Sequence, residues 1–330
     1  MQPEPTSGSA ETPLAAIARA LHAAQRVLIT MHRSPDGDAL GSSLGLGLTL
    51  LRAGKQVVVY SADGVPTGLR FLPGAERVVS TVAADSRFDA TVTCDAGHPS
   101  RLGPDLPDAT RRGVFINLDH HATTPPFGDL NLLDTSAAAV GVLIHRLAVR
   151  MGLPVPADAA AALFVSLLTD TGSFRYSNTD PQVLRVAADL VEWGAKPAVL
   201  ASAIWEANTP ERLTLLACVL PTLQLRLGGR VALLTITAEA IARAGTAEET
   251  ADGFVSYPRS LIGVDVAVLL REEGSGWRVS LRSRGGVDVA AIATTFGGGG
   301  HAAAAGLTFR GTRAQAEAAL LPAITAALSA

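Results

Sequence analysis

The chain has 330 residues, with 27 Lys and Arg against 30 Asp and Glu, a formal charge of −3, and 48% apolar residues. That apolar content excludes a mainly disordered chain, and the length exceeds one average core, which argues for two domains. The charge balance lacks the basic footprint of a long-duplex binder, and no charge-free apolar run reaches spanning length, so small anionic ligands fit while long duplexes and membranes do not.

Residues 1–14 are polar and rich in Pro, Ser and Thr, with no basic and apolar leader pattern, which predicts a disordered tail without a secretory signal. Two cysteines, Cys94 and Cys218, lie on apolar stretches far apart in sequence and read as buried thiols of a cytoplasmic protein. From about residue 15 the pattern predicts a strand at 26–32, a helix at 38–53, strands at 56–61, 88–95 and 113–118, and helices at 136–152, 157–171 and 180–194. Such alternation makes 15–195 an α/β domain, a parallel sheet with helices on both faces whose ligands sit at the carboxyl ends of the strands. A helical linker follows at 196–215, within a stretch, 197–220, that reads as helical in two pieces. Residues 216–330 read as a smaller α/β domain. It opens on a hairpin, 223–227 and 231–237 around Gly228-Gly229, and continues with strands at 264–271 and 277–284 and a helix at 288–296. A glycine-rich loop within 297–306 and a terminal helix from 312 to about 328 complete it. Long apolar faces on 136–152 and 197–220 predict a homodimer.

The chemistry gathers at the ends of apolar segments. His32, Asp36 and Asp38 follow the run 26–30, Asp95 follows 90–94, Asp119-His120-His121 follow 114–118, and Asp170 follows 163–168. Taken singly these signals are weak, since Asp-Gly-Asp is usually a turn and a lone His is often a satisfied core residue. Four clusters in this order together predict a dinuclear metal site. His32, Asp36, Asp38, Asp95, His120 and Asp170 offer more ligands than one ion takes while leaving room for water, and two ions about 3.5–4 Å apart sharing a carboxylate are the simplest arrangement. Oxygen and imidazole donors without thiolate favour Mn²⁺, with Mg²⁺ as the other candidate.

A second feature is Gly297-Gly298-Gly299-Gly300-His301. Such runs are commonly linkers or helix caps, but this one lies between an apolar helix and a strand, after Arg282 and Arg284, which the two-residue period puts on one strand face. Glycine lets backbone N–H groups approach a phosphate, and His301 with the two arginines can add donors and charge.

With these residues in view, the chain resembles the DHH phosphoesterase superfamily, named for Asp119-His120-His121. Its C-terminal half is similar to the DHH-associated domain, whose Gly-Gly-Gly-His motif matches Gly298, Gly299, Gly300 and His301. The segment Thr169-Asp170-Thr171-Gly172-Ser173-Phe174 resembles the oligoribonuclease-type (nanoRNase) branch. The resemblance implies a Mn²⁺-dependent hydrolase that uses two-metal activation of water on short nucleotides: nanoRNA, 3′-phosphoadenosine 5′-phosphate, or linear and cyclic dinucleotides. It further implies that His32, Asp36 and Asp95 hold one ion and Asp38, Asp95, His120 and Asp170 the other. Asp119 would orient an imidazole, His121 would meet the scissile phosphate or the attacking water, and the glycine run with His301 and Arg284 would grip the far nucleotide. Thr124 and Ala139 depart from the Asn and Ser common in the family, which bears on substrate preference. A RecJ-like exonuclease would want a further nucleic-acid module and a basic track. A family-II-type pyrophosphatase would lack the glycine-rich His motif, and a nucleotide sensor on the same fold would have lost ligands, of which all six are present here.

Overall fold

The computed structural model describes residues 11–246, 251 and 253–329. The chain divides into two compact units, Met1–Ala207 and Asn208–Ala330, so the segment expected as a linker contributes one helix to each.

The first unit opens on α1 (Pro13–Ala23), where Thr12 accepts a capping hydrogen bond from the Ala15 N–H and Pro13 takes the first helical position. Residues 1–10 of the expected tail lie outside the described residues, and its last two residues are already helical. There follow β1 (Arg26–Met31), α2 (Gly37–Arg52), β2 (Gln56–Tyr60), β3 (Val78–Val79), β4 (Ala90–Cys94), β5 (Val114–Asp119) and β6 (Leu130–Leu133). These strands form one parallel sheet in the order β3-β2-β1-β4-β5-β6. The short edge strands β3 and β6 escaped the sequence pattern because two and four residues are too few to establish a period. The unit closes with α3 (Val140–Met151), α4 (Ala157–Asp170), α5 (Pro181–Glu192) and α6 (Pro197–Trp205).

Alternation along the strands sends Val27, Ile29, Met31, Val92, Cys94, Ile116 and Leu118 to one face, where they join the buried residues of α1 to α6 in a single core. The opposite face carries two small clusters, Leu28 with Tyr60 and Phe88, and Ala96 with Leu102 and Phe115. The expectation of helices on both faces is therefore corrected: among the described residues the α-helices collect on one face, and coil with 3-10 turns covers the other. The connection from β4 to β5 contains Gly97, Pro99, Gly103, Pro104 and Pro107, and that from β5 to β6 contains Pro125, Pro126 and Gly128. Proline and glycine at that density cannot sustain a helix.

Helix α2 packs closely along α4 through Gly37, Gly41 and Gly45, spaced four apart on one face; a Cβ at Gly41 would sit 2.5 Å from the Ala162 carbonyl oxygen. This contact brings the first turn of α2 beside the last turn of α4, and with them Asp38 beside Asp170.

The second unit comprises α7 (Pro210–Val219), β7 (Gln224–Arg226), β8 (Val231–Ile236), α8 (Ala238–Ala244), α9 (Ser256–Arg259), β9 (Val266–Glu273), β10 (Gly276–Ser283), α10 (Val289–Thr295), β11 (Gly299–His301), β12 (Ala304–Arg310) and α11 (Arg313–Ser329). Its sheet runs β11-β12-β10-β9-β8-β7, antiparallel except for β8 with β9. The glycine run departs from the expected loop, because Gly299 to His301 form a strand paired with Ala304 to Gly306. No helix among the described residues is long and apolar enough to cross a membrane. Cys94 is buried, whereas Cys218, expected to be buried, is only half-buried; both are free thiols.

Candidate metal centre

Parallel register sets the site. Met31 pairs with Cys94 and Cys94 with Leu118, so the next residues, His32, Asp95 and Asp119, stand side by side at the carboxyl ends of β1, β4 and β5. Asp95 adopts a left-handed backbone, φ 57°, uncommon for a residue with a Cβ and characteristic of functional sites. Asp36 is the N-cap of α2, its Oδ1 accepting from the N–H groups of Asp38 and Ala39 at 3.1 and 3.0 Å. Asp38, fully buried in the first turn of that helix, accepts from the Val140 N–H at 2.8 Å and from the Ser166 hydroxyl at 2.5 Å. It thereby caps α3, whose own N-cap residue, Ala139, has no side-chain acceptor. Asp170 ends α4.

All six predicted metal ligands come together here. His32 Nε2 lies 3.8 Å from Asp36 and 3.5 Å from Asp95, while His120 Nε2 lies 3.5, 3.6 and 3.2 Å from Asp38, Asp95 and Asp170. Two groups able to hold an ion result, His32 with Asp36 and Asp95, and Asp38 with His120 and Asp170; a third, Asp95 with His120 and His121, includes a histidine absent from the expected ligand set.

The donors fit divalent ions. Ligand atoms about 2.1–2.2 Å from one ion, at roughly 90–110° to each other, lie about 3.0–3.6 Å apart. The imidazole-to-carboxylate separations nearly all fall in that range. In both principal histidines Nδ1 donates to a backbone carbonyl, Arg33 at 2.7 Å for His32 and Ala137 at 3.0 Å for His120. That bond fixes the neutral tautomer with its lone pair on Nε2, the arrangement found for metal-binding imidazoles.

Asp119 is fully buried and meets His121 twice; it also accepts from the Gly97 N–H at 2.7 Å. Asp119 thus orients His121, and His120 is oriented by the Ala137 carbonyl. Sequence reasoning missed the contributions of Ala137, Gly97 and Ser166, which carry no motif and reach the site only through tertiary packing.

Electrostatics reflect the density of carboxylates. Burial opposes charge on each imidazole, yet Asp36 and Asp95 push His32 up to about 10, Asp170 with Asp38 and Asp95 pushes His120 up to about 11, and Asp119 with Asp95 pushes His121 up to about 10. Burial and the charges of Asp95 and Asp170 hold Asp38 well above the usual carboxylate range. Asp95 lies well below that range: burial works to raise it, and His121 and His32 outweigh burial. In the ion-free protein, protons on the imidazoles supply the positive charge that bound cations would otherwise provide.

The residues expected to bind substrate lie in the second unit. Arg282 is on β10, half-buried, with Nη1 donating to the Leu281 carbonyl at 2.9 Å. Arg284 falls one residue beyond the strand, so the expected shared strand face is corrected. Its guanidinium donates to the carbonyls of Arg259 and Ser260 at 3.0 and 2.9 Å, at the end of α9. In the glycine run, the N–H groups of Gly297 and Gly298 bond the Thr294 and Ala293 carbonyls and terminate α10. They are therefore committed to the helix end and are not donors to an anion, which narrows the expected nest to the residues beyond. Gly300 has φ 142°, and a Cβ at Gly298 would overlap the Gly306 carbonyl.

A parallel-sheet unit gathering carboxylates and imidazoles at its carboxyl edge, followed by a smaller mixed-sheet unit, defines a two-domain α/β protein with a candidate dinuclear centre. The chain belongs to the DHH family: the DHH family N-terminal domain matches residues 26–186 and the DHHA1 domain matches 229–330. It is 40% identical over 285 residues to the bifunctional oligoribonuclease and PAP phosphatase NrnA of Thermus thermophilus, covering 86% of this chain and 84% of that protein. With the protein of the same name from Bacillus subtilis it shares 25% identity over 284 residues, covering 85% and 88%. Among solved structures, an exopolyphosphatase-related protein from Bacteroides fragilis superposes with a TM-score of 0.87 at 26% identity, covering 97% of this chain and 98% of that one.

Proposed function

We propose that the chain is a metal-dependent phosphoesterase that hydrolyses short oligoribonucleotides and linear or cyclic dinucleotides to mononucleotides and removes the 3′-phosphate of 3′-phosphoadenosine 5′-phosphate. The carrying observation is Asp95, buried and left-handed, with one carboxylate oxygen 3.5 Å from His32 and the other 3.6 Å from His120. A carboxylate so placed suits two ions at once, and the family and its NrnA relatives support hydrolase chemistry on nucleotides.

His32, Asp36 and Asp95 would hold one ion, and Asp38, Asp95, His120 and Asp170 the other; the thiolate-free donor set favours Mn²⁺, with Mg²⁺ second. When bound, such a pair supplies an activated water and stabilises charge on the phosphate. The chain's own residues do the rest. Asp119 holds the His121 Nδ1 proton, which leaves His121 Nε2 to exchange a proton or hydrogen bond with substrate. Arg282, Gly299, Gly300 and His301, with Gly298 shaping the turn, are the proposed contacts for the substrate's far phosphate, and Arg284 supports them through the end of α9.

A charge of −3 without a basic stripe gives extra phosphates little counterion-release affinity, which favours short substrates. Exposed Val149 and Val199, on α3 and α6, support a homodimer, and the free thiols support a cytoplasmic setting.

The test is a panel with Mn²⁺ or Mg²⁺: a diribonucleotide, oligoribonucleotides of increasing length, linear and cyclic di-adenylate, and 3′-phosphoadenosine 5′-phosphate. Release of mononucleotide chiefly from the short substrates is expected. Undiminished cleavage of long oligonucleotides would favour an exonuclease instead, and inertness toward all would favour a nucleotide sensor.

A further inference from the structure

Ser166 lies in the middle of α4, one helical turn before Asp170, and is fully buried. Hydroxyl residues inside helices commonly bond the carbonyl four residues back. Thr169 and Thr171 do so, donating to Val165 and Leu167 at 2.9 and 2.6 Å. Ser166 instead turns away from its own helix. Its oxygen accepts the Gly141 N–H at 3.0 Å, in the first turn of α3, and its proton goes to Asp38 Oδ1, 2.5 Å away on α2. Accepting from one side fixes the direction of donation on the other.

The surrounding glycines make room for this contact. A Cβ on Gly141 would overlap the Ser166 oxygen, and a Cβ on Gly41 would lie 3.2 Å from the Ser166 Cβ. Two neighbouring helices thus leave space around one serine, and its hydroxyl meets a carboxylate in the candidate metal centre.

We infer that Ser166 is a positioning residue for the second ion: it sets the rotation of the Asp38 carboxylate and registers α3 and α4 on it. The inference rests on the metal-dependent reading above. Ser166 reaches the centre only through Asp38, so its effect is expected on the affinity of one site. Among the described residues its hydroxyl hydrogen-bonds Gly141 and Asp38 and not His32, Asp36 or Asp95, so the group proposed for the first ion should be left alone.

The experiment titrates chelator-stripped, full-length protein with Mn²⁺ itself and follows free Mn²⁺ by electron paramagnetic resonance, alongside the thermal midpoint of the ion-free protein. Wild type is expected to take two ions. Ser166→Ala should keep one at wild-type affinity and bind the other about 10–100-fold more weakly, the range for loss of a group that orients a ligand. Its ion-free midpoint should stay near wild type, and Ser166→Thr, which retains the hydroxyl, should recover part of the lost affinity. Two wild-type affinities in Ser166→Ala would overturn the positioning role while leaving the metal reading intact. Equal weakening of both ions with a lower ion-free midpoint would reduce Ser166 to a packing residue. Wild-type protein that takes no Mn²⁺ would remove the underlying reading and this inference with it.

Discussion

Asp119 and His121 are joined by two hydrogen bonds to one oxygen: Asp119 Oδ1 accepts the His121 backbone N–H at 2.8 Å and lies 2.9 Å from His121 Nδ1. His121 Nδ1 faces Asp119 and lies 3.2 Å from Asp95, whereas His120 Nε2 faces Asp38, Asp95 and Asp170, which suits the proposed division of tasks, His120 on the ions and His121 on the reaction. His121→Ala should therefore lower kcat by about 10²–10⁴, the usual contribution of a positioned acid or base, while keeping its ions. His120→Ala should lose ion affinity. Asp119→Asn should act through His121, so that the Asp119→Asn, His121→Ala double variant is little worse than His121→Ala. Metal content by elemental analysis and single-turnover rates check the division, and equal metal loss from both histidine variants would refute it.

Asp95→Asn removes a charge that faces both principal histidines while keeping a residue type that tolerates the left-handed conformation at φ 57°. The fold should survive and both ions should weaken together. Turnover should fall below detection, and circular dichroism with an ion titration separates this from unfolding. Retained activity with two bound ions would end the shared-carboxylate assignment.

Much of this candidate site was legible in the sequence because its residues follow apolar runs, three of which are strands ending at one sheet edge. His32, Asp95 and Asp119 could be placed at one edge without knowing the strand order. The supporting contacts were not legible. Asp38 caps a helix more than a hundred positions away in sequence, and Ser166 reaches Asp38 through the space left by Gly141; neither has a local signal. The glycine run misled in a different way. Its composition suggested a loop of available N–H groups, whereas Gly297 and Gly298 end a helix and Gly299 begins a strand. In the first sheet the period of two showed which residues were buried but not whether helix or coil would bury them, and proline density in the connections decided that.

The ion-free protein should respond to pH with a definite sign. His32 and His121 are raised from 6.5 to about 10 and His120 to about 11, so the folded state holds protons that the unfolded chain releases. Their contribution to stability is fully present below pH 6.5 and is lost as pH rises through about 10 to 11. The thermal midpoint of chelated protein should thus fall across that window. Mn²⁺ needs neutral imidazoles, so binding near pH 7.5 should release about one proton per ion, and affinity should rise with pH. Calorimetry in two buffers of different ionisation enthalpy measures the protons directly. Binding without proton release would show that the imidazoles are not the groups displaced.

Gly41 offers a test of whether helix packing builds the site. A Cβ there would lie 2.5 Å from the Ala162 carbonyl oxygen and 3.0 Å from the Ser166 nitrogen, both backbone atoms of α4 that cannot rotate away. Gly41→Ala must then push α2 from α4, at a cost of about 1–3 kcal/mol for overpacking a close contact. For a unit of this size that corresponds to a fall of several degrees in thermal midpoint. Because Asp38 and Asp170 ride on these two helices, their separation should grow, and Mn²⁺ affinity at the Asp38, His120 and Asp170 group should fall more than at the His32 group. Gly68→Ala is the control: nothing lies within 4 Å of its added Cβ, and its effect should stay within about 0.5 kcal/mol. A Gly41→Ala protein with wild-type midpoint and wild-type ion binding would show that the centre does not depend on close approach of α2 and α4.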